Sequence, residues 1–392
     1  MASPSRVGDA RWRGALAVLE EMRREPGVTR AVVAQRLRLS SGSATEITAR
    51  LRDLALLTET PAATSGRGRP TTVLGPHPDG PIVIAVDLRQ EDWRCAVAAL
   101  DGRPKIVEAG AHASRDPDHV IGVIAEAVRR LHERHGKRVR AVGVAVAATV
   151  RHGRVVQSST LGWDAVDLAA LATEAGLPLL IGNDAMLAGI AEARNGAAAG
   201  AATALHLTIE VGVGGTLVVD GQPVGGATGA GGEFGHLPLG EPGVRCPCGA
   251  TGCWDLAVDG RAIARRRGDP PPGDPRTYAL TAIARASQEA SVATAVEHAA
   301  TSFASGLAGL INALDPDVVT LGGLAQPLRE AAAPQFEAAL TGGLMRFRRS
   351  DPPRVLAAEL GEDGALHGAV LTALDQVLTE AGMNAWTADR AF

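Results

Sequence analysis

Three of the chain's four cysteines, Cys246, Cys248 and Cys253, fall within eight residues, and nine residues separate His236 from the first of them. Three thiolates and one imidazole make the closed tetrahedral donor set that a structural zinc ion takes. The segment between them is rich in Gly and Pro (Leu-Pro-Leu-Gly-Glu-Pro-Gly-Val-Arg, then Pro, then Gly-Ala-Thr-Gly), so a short loop can fold back on one ion. Unligated cysteines have no reason to cluster in this way. Disulfides fit poorly, because the opening Met-Ala-Ser-Pro-Ser-Arg lacks the apolar stretch of an export signal. The expectation is structural Zn2+ on His236, Cys246, Cys248 and Cys253, in a loop spanning 236–253.

The rest of the chain must position that loop. Its 392 residues allow two or three domains, and 46% hydrophobic with 21% charged residues describes an ordinary globular protein. Aromatics are only 3%, so the cores are expected to be built from Ala, Val, Leu and Ile. No apolar run is long enough to span a bilayer, so we expect a cytoplasmic protein with no membrane partner. Net charge is −4 but unevenly divided: residues 1–75 hold twelve Arg, no Lys and seven acids, a balance of +5 that leaves −9 for the remainder. A basic front on an acidic body points to a polyanion partner for the front alone.

That front reads as three short helices. Arg11–Arg24 carries Trp12, Leu16 and Leu19 on one side and ends at Pro26-Gly27. Thr29 precedes a second helix, Arg30–Leu37, and Ser40-Ser41-Gly42 reads as a break. A third, about Ser43–Leu56, has Ile47, Leu51 and Leu54 at helical spacing, with Thr45, Thr48, Arg50 and Arg52 on other faces. This is a helix-turn-helix pattern, whose third helix would present Ser43, Thr45, Glu46 and Arg50 to the major groove. Residues 57–74 suit a two-stranded wing with Arg67 and Arg69 at its tip, where glycine-flanked arginines reach phosphates or a minor groove. The expected domains are a winged helix-turn-helix over 1–75, a Pro/Gly-rich linker over 76–81 and a body over 82–392.

The body alternates strands with helices, which implies an α/β architecture. Ile82–Asp87, Trp93–Leu100, Arg140–Val150, Leu179–Asp184, 204–209, 216–219 and Asp317–Leu321 read as strands. Val120–His135, the residues after Asp184 through Arg194, much of Gly260–Leu314 and a closing stretch at 363–381 read as helices. Similar strand openings near Val86 and Leu207 suggest two related lobes.

The chain resembles the ROK family of repressors, open reading frames and sugar kinases over nearly its whole length. The segment Gly235-His236, nine residues, Cys246-Pro-Cys248-Gly-Ala-Thr-Gly-Cys253 is similar to the family's zinc signature. Gly182-Asn183-Asp184-Ala185 resembles the motif that carries the kinases' sugar-binding Asn and catalytic Asp, and Gly232-Glu233-Phe-Gly-His236 the segment supplying a sugar-binding Glu and His. Asp255 stands where the kinases usually have a further sugar-binding Glu. Asp315-Pro316-Asp317-Val-Val-Thr-Leu-Gly-Gly323 resembles the adenosine-side motif. The resemblance implies a two-lobed actin-like, ribonuclease-H-like ATPase fold of the ROK sugar-kinase type behind the winged head that the family's regulators possess. It implies sugar contacts from Asn183, Asp184, Glu233, His236 and Asp255.

The departures from the kinase pattern set the functional expectation. Kinases open their first lobe with Asp-x-Gly-Gly-Thr, whose glycines let backbone amides approach phosphates; here the segment is Asp87-Leu88-Arg89-Gln90-Glu91-Asp92. Their second phosphate loop starts Gly-Thr-Gly; here it reads Glu210-Val211-Gly212. Both losses bring carboxylates to the nucleotide side, so we expect no catalytic residues and no productive ATP binding. The expected function is a sugar-responsive transcriptional regulator, a repressor acting as a homodimer or tetramer on an inverted-repeat operator, with a sugar or sugar-phosphate effector. The alternatives are an ATP-dependent sugar kinase with an attached DNA-binding head, and a DNA-binding regulator with no small ligand.

Overall fold

The computed structural model describes residues 8–62 and 72–390. The chain divides into two compact units, one of Met1–Ala145, Asp167–Ile181 and Ala369–Phe392, the other of Val146–Val166 and Gly182–Gly368.

The first unit begins with α1 (Gly8–Arg24), α2 (Arg30–Arg36) and α3 (Ser41–Asp53), then antiparallel β1 (Leu57–Pro61) and β2 (Thr72–Pro76). The Thr29 hydroxyl accepts from the Val32 amide at the start of α2, and the Ser40 hydroxyl from the Ser43 amide at the start of α3. Ser40-Ser41-Gly42, expected as a break, is therefore a cap and first turn, because a serine oxygen satisfies an otherwise orphaned first-turn N–H. Thr48, expected on a face other than that of Ile47, Leu51 and Leu54, is buried and donates to the Ala44 carbonyl. Trp12, Leu19, Val33, Leu51, Leu56 and Leu74 are buried in this head. The wing tip that carries Arg67 and Arg69 lies outside the described residues.

Next come β3 (Ile82–Leu88), β4 (Asp92–Ala98), β5 (Lys105–Ala111), α4 (Pro117–His135) and β6 (Val139–Val146). The short hairpin of β7 (Thr149–Arg151) and β8 (Arg154–Gln157) belongs to the second unit. The chain then returns through α5 (Ala170–Thr173) to β9 (Leu179–Asn183). The sheet order is β5-β4-β3-β6-β9, and β3, every residue of it buried, is at the centre.

The second unit contains α6 (Asp184–Asn195), β10 (Thr203–Glu210), β11 (Gly212–Val219), β12 (Gln222–Pro223), α7 (Asp255–Val258), α8 (Gly260–Arg267), α9 (Pro275–Arg285) and α10 (Ala290–Leu314). It continues with β13 (Val318–Gly323), α11 (Ala325–Ala331), α12 (Ala333–Gly343), α13 (Arg346–Ser350) and β14 (Arg354–Ala357). Its sheet runs β12-β11-β10-β13-β14, with β10 antiparallel to β11 and parallel to β13. The apolar side of α10 (Val292, Val296, Phe303, Leu307 and Ile311) forms one core with Leu205, Leu207, Ile209 and Leu321 of the sheet. Trp254, just after the cysteine loop, stacks on Phe303 at 5.6 Å and donates its indole N–H to the Ser302 carbonyl, which anchors the loop's exit to the core.

The chain ends with α14 (Gly364–Val377) and α15 (Glu380–Arg390), so the helix expected at 363–381 is interrupted and continued. Within the first unit α15 grips the head. The Trp386 indole donates to the Leu54 carbonyl at 2.9 Å, just beyond the end of α3, and the Trp12 indole donates to Asn384 Oδ1 at 2.8 Å. Replacing Trp386 with Phe keeps most of the apolar surface but orphans the Leu54 carbonyl. We expect it to cost about 1–2 kcal/mol in urea unfolding and to raise hydrogen exchange selectively at the end of α3; unchanged exchange there would show that the contact does not hold the head. No helix among the described residues is long and apolar enough to cross a membrane.

Candidate functional site

The cysteine loop is closed by its own backbone. The Cys246 amide bonds to the Ala250 carbonyl, the Gly252 amide to Val244, and the Gly240 amide to Gly252. These bonds bring one donor atom from each of His236, Cys246, Cys248 and Cys253 within 4.8 Å of one another. Cys248 and Cys253 sulfurs are 3.7 Å apart, and Cys246 Sγ is 3.9 Å from His236 Nδ1. A tetrahedral ion with metal–sulfur bonds of about 2.3 Å needs edges of about 3.8 Å, so the donors fit a metal ion such as zinc. Without a cation the arrangement disfavours thiolates: burial, with the neighbouring thiols, pushes Cys253 up to about 12, and burial raises Cys246 as well.

The residues matched to sugar contacts cluster around the start of β11, inside the second unit. Asn183 caps α6, its Oδ1 accepting from the Met186 amide and its Nδ2 donating to the Ala148 carbonyl, so its amide plane is fixed. Asp184 opens the helix and accepts from the Ala185 amide. Ala185 lies where any β-carbon on Gly214 would overlap it, so glycine in β11 is what admits the start of α6. Asp255 Oδ1 accepts from the adjacent Val213 amide at 2.6 Å, and a β-carbon on Gly235 would collide with the same oxygen. Asp255 Oδ2 sits 3.5 Å from His236 Nδ1, and His236 Nε2 sits 3.7 Å from Glu233 Oε2. The imidazole thus has its Nδ1 side on the cysteines and its Nε2 side on Glu233. Asp255 is 9% exposed and anchored to backbone, and burial raises its carboxyl while the Val213 amide opposes that rise. Its shorter side chain is spent on holding β11 and the His236 turn together.

A model of the ROK family matches residues 83–376. This chain belongs to the ROK family. It is 34% identical over 272 residues to a kanosamine kinase of Amycolatopsis mediterranei, an alignment covering 67% of this chain and 86% of that one. Among solved structures, a ROK transcriptional regulator homologous to the E. coli MLC protein superposes with a TM-score of 0.73 at 21% identity, covering 96% of this chain and 98% of its own. A ROK glucokinase from Streptomyces griseus, solved with glucose and AMPPNP, gives 0.64 at 24% identity, covering 75% of this chain and 99% of its own. The fold is therefore the ROK actin-like kinase fold with mixed sheets, preceded by a helical amino-terminal region. The family contains both kinases and regulators.

The two segments that resemblance matches to the kinases' phosphate loops carry internal ion pairs that the sequence alone does not show. Asp87, on β3, is 1% exposed and accepts from both Nε and Nη2 of Arg94, the latter at 2.7 Å, directly across the β3–β4 pairing. Burial raises its carboxyl and Arg94 works against the rise. The turn between the strands is closed by an Arg89–Asp92 bridge. In the second unit Glu210 pairs with Arg276, whose other nitrogen donates to Glu362 at 2.8 Å. Gly323 packs against Glu210 so closely that a β-carbon would lie 2.5 Å from Oε1. A cross-strand Asp–Arg pair is findable from hairpin register; the Glu210–Arg276–Glu362 chain, whose members are far apart in sequence, left no local signal.

On α3 the structure leaves Ser43, Thr45 and Glu46 exposed, with Thr45 Oγ1 donating back to the Ser41 carbonyl. Arg50 is half-buried, its guanidinium 4.9 Å from the Trp12 ring centre.

Proposed function

We propose that this ROK protein is a sugar-responsive repressor, cytoplasmic and non-catalytic, that binds an inverted-repeat operator as a homo-oligomer through its winged helix-turn-helix over residues 1–75. The single observation that carries the reading is that the carboxylates brought into both phosphate-loop segments, Asp92 and Glu210, are engaged by the chain's own Arg89 and Arg276, Arg89 standing where the kinases have a glycine. Each pair holds negative charge, already matched by an arginine, where a nucleotide phosphate would need donors. The sugar side keeps Asn183, Asp184, Glu233 and His236, groups that accept and donate in fixed directions and suit vicinal hydroxyls. Asp184 then recognises a hydroxyl without activating it. Asp255 acts behind His236, and Zn2+ on His236, Cys246, Cys248 and Cys253 fixes the imidazole that faces the sugar. The head, basic in composition, supplies DNA contacts through Ser43, Thr45, Glu46 and Arg50 on α3 and through Arg67 and Arg69 of the expected wing tip. The likeness over 96% of the chain to a ROK regulator, against 75% for the glucokinase, supports a head joined to an effector body. Sugar binding shifts the population between DNA-binding and released states.

The test is binding of the purified protein to its own upstream DNA, titrated with free and phosphorylated sugars. We expect one sugar to change the DNA affinity at least tenfold, and a paired footprint from two half-sites. Bound DNA indifferent to every sugar would overturn the effector assignment, and a single half-site would overturn the dimer geometry. The Asn183-Asp184 pair and the 34% identity to a kanosamine kinase favour the kinase reading, which requires sugar-dependent ATP turnover in the same preparation.

A further inference from the structure

A recess of about 270 Å³ lies in the second unit, away from Asn183 and Asp184, between the limb Leu239–Pro242, α8 and the middle of α10. Its polar lining is lopsided: Arg265, Arg266, His298 and Ser302 stand against one acid, Glu241. The remaining wall is largely alanines of α7, α8 and α10, whose short side chains leave the space open. Arg265 is oriented from behind, its Nη2 donating to the Leu256 carbonyl at 2.6 Å. Its Nε is 3.6 Å from Glu241, and Arg266 Nη2 is 3.9 Å from the other Glu241 oxygen. Those separations are longer than a charge-assisted hydrogen bond, so one carboxylate balances two guanidinium groups electrostatically without docking on either.

We propose that this recess binds a phosphoryl-group anion, either free phosphate or the phosphate of a small organic molecule. A phosphoryl group carries more charge than a carboxylate and offers three oxygens, enough to engage both guanidinium forks at hydrogen-bonding distance, with Ser302 as a further donor. The volume falls just below the usual range for ligand pockets, about 300–1,000 Å³, and suits a phosphate alone or with a small organic body. The bound anion displaces Glu241 from between the arginines. The limb it presses on is not isolated: the Gly240 amide is bonded to Gly252 within the cysteine loop, and the Leu237 carbonyl accepts from the Trp254 amide. Occupancy therefore stiffens the strand of chain that leads directly from His236.

The experiment is calorimetric titration of the full chain with inorganic phosphate at constant ionic strength, alongside glucose 6-phosphate and glucose. We expect saturable phosphate binding that weakens at least tenfold in the Arg265→Gln/Arg266→Gln double variant and tightens several-fold in Glu241→Gln. Hydrogen exchange should slow at 239–242 and 262–266 when phosphate is bound. Tighter binding of glucose 6-phosphate, lost in the same double variant, identifies the organic phosphate as ligand; equal binding identifies free phosphate. No saturable binding to the wild type, or binding that the double variant leaves intact and that Glu241→Gln does not tighten, overturns the proposal. Unphosphorylated glucose reports the Asn183–Asp184 site alone, so failure there is separable from failure here.

Discussion

Stripping the metal is expected to damage this protein more than any point substitution made outside the cysteine loop. Two buried thiols, a half-buried one and a ring nitrogen within 4.8 Å of one another repel as anions and pack poorly as neutral donors, so a cation is what makes the arrangement favourable. Structural zinc contributes about 10 kcal/mol or more to small isolated zinc domains. Here the loop is one limb of a larger unit whose core is built by α10 and the β10–β13 strands, so we expect the limb to loosen and Tm to fall by roughly 5–10 °C, not wholesale unfolding. The second consequence is functional. Losing the ion frees His236 to rotate, and with it the Glu233 side chain 3.7 Å away, so sugar affinity should fall roughly tenfold or more. Elemental analysis should give one zinc per chain, and a strong chelator or Cys248→Ser should produce both losses together. Protein purified without metal whose Tm a chelator leaves unchanged would refute the assignment. A fall in Tm with sugar affinity intact would separate the metal from the effector site.

The parts of this site that were legible in the sequence are those whose chemistry is local. The cysteine loop declares itself because its donors lie within 18 residues of one another, from His236 to Cys253, and must all be Cys or His. The central strands β3 and β6 are dominated by Val, Ala and Ile and could be placed within a few residues. Strand β5 was not foreseen, because an edge strand with Ile106 44% and Val107 36% exposed has neither a buried run nor a clean alternation. Helix α15 was not foreseen either: its hold on the chain is tertiary, through Trp386 to Leu54, and its own sequence has no strong apolar stripe. The cap at Ser40 was misread as a break since serine marks both. The role of Asp255 is the instructive case. Family likeness offers it to a ligand, yet losing one methylene leaves the carboxylate within reach of the Val213 amide, a contact only the folded chain reveals. The arginines that answer Asp92 and Glu210 follow the same rule, and they change what the glycine-poor loops mean. A carboxylate in a phosphate loop is a defect if unpaired and a structural replacement if paired.

Acid should destabilise the second unit through one side chain that no part of the proposed function uses. His206 lies in β10 at the centre of the sheet, 3% exposed, with Nδ1 2.8 Å from Thr320 Oγ1 and with no hydrogen-bond partner for the buried Nε2. Burial lowers its pKa from the ordinary 6.5 to about 4, since a charged ring there would have nothing to compensate it. The folded-state value lies below the unfolded one, so the unfolded chain takes up the proton first. The stability is complete above about pH 6.5, drains as pH falls toward 4, and by then amounts to about 3 kcal/mol lost, from about 1.4 kcal/mol per unit. Urea unfolding of metal-loaded protein between pH 7.5 and 4.5 should show this slope. His206→Leu removes the titrating ring. It should be less stable than wild type at pH 7.5, because Thr320 loses its partner, but should lose less stability on acidification, so the two curves converge as pH falls. Because acid also loosens a Cys/His metal site and protonates carboxylates in both proteins, the decisive quantity is the difference between the two slopes. Parallel curves would mean that His206 either keeps an ordinary pKa or is reached by water, and the dry centre assigned to this sheet would then be wrong.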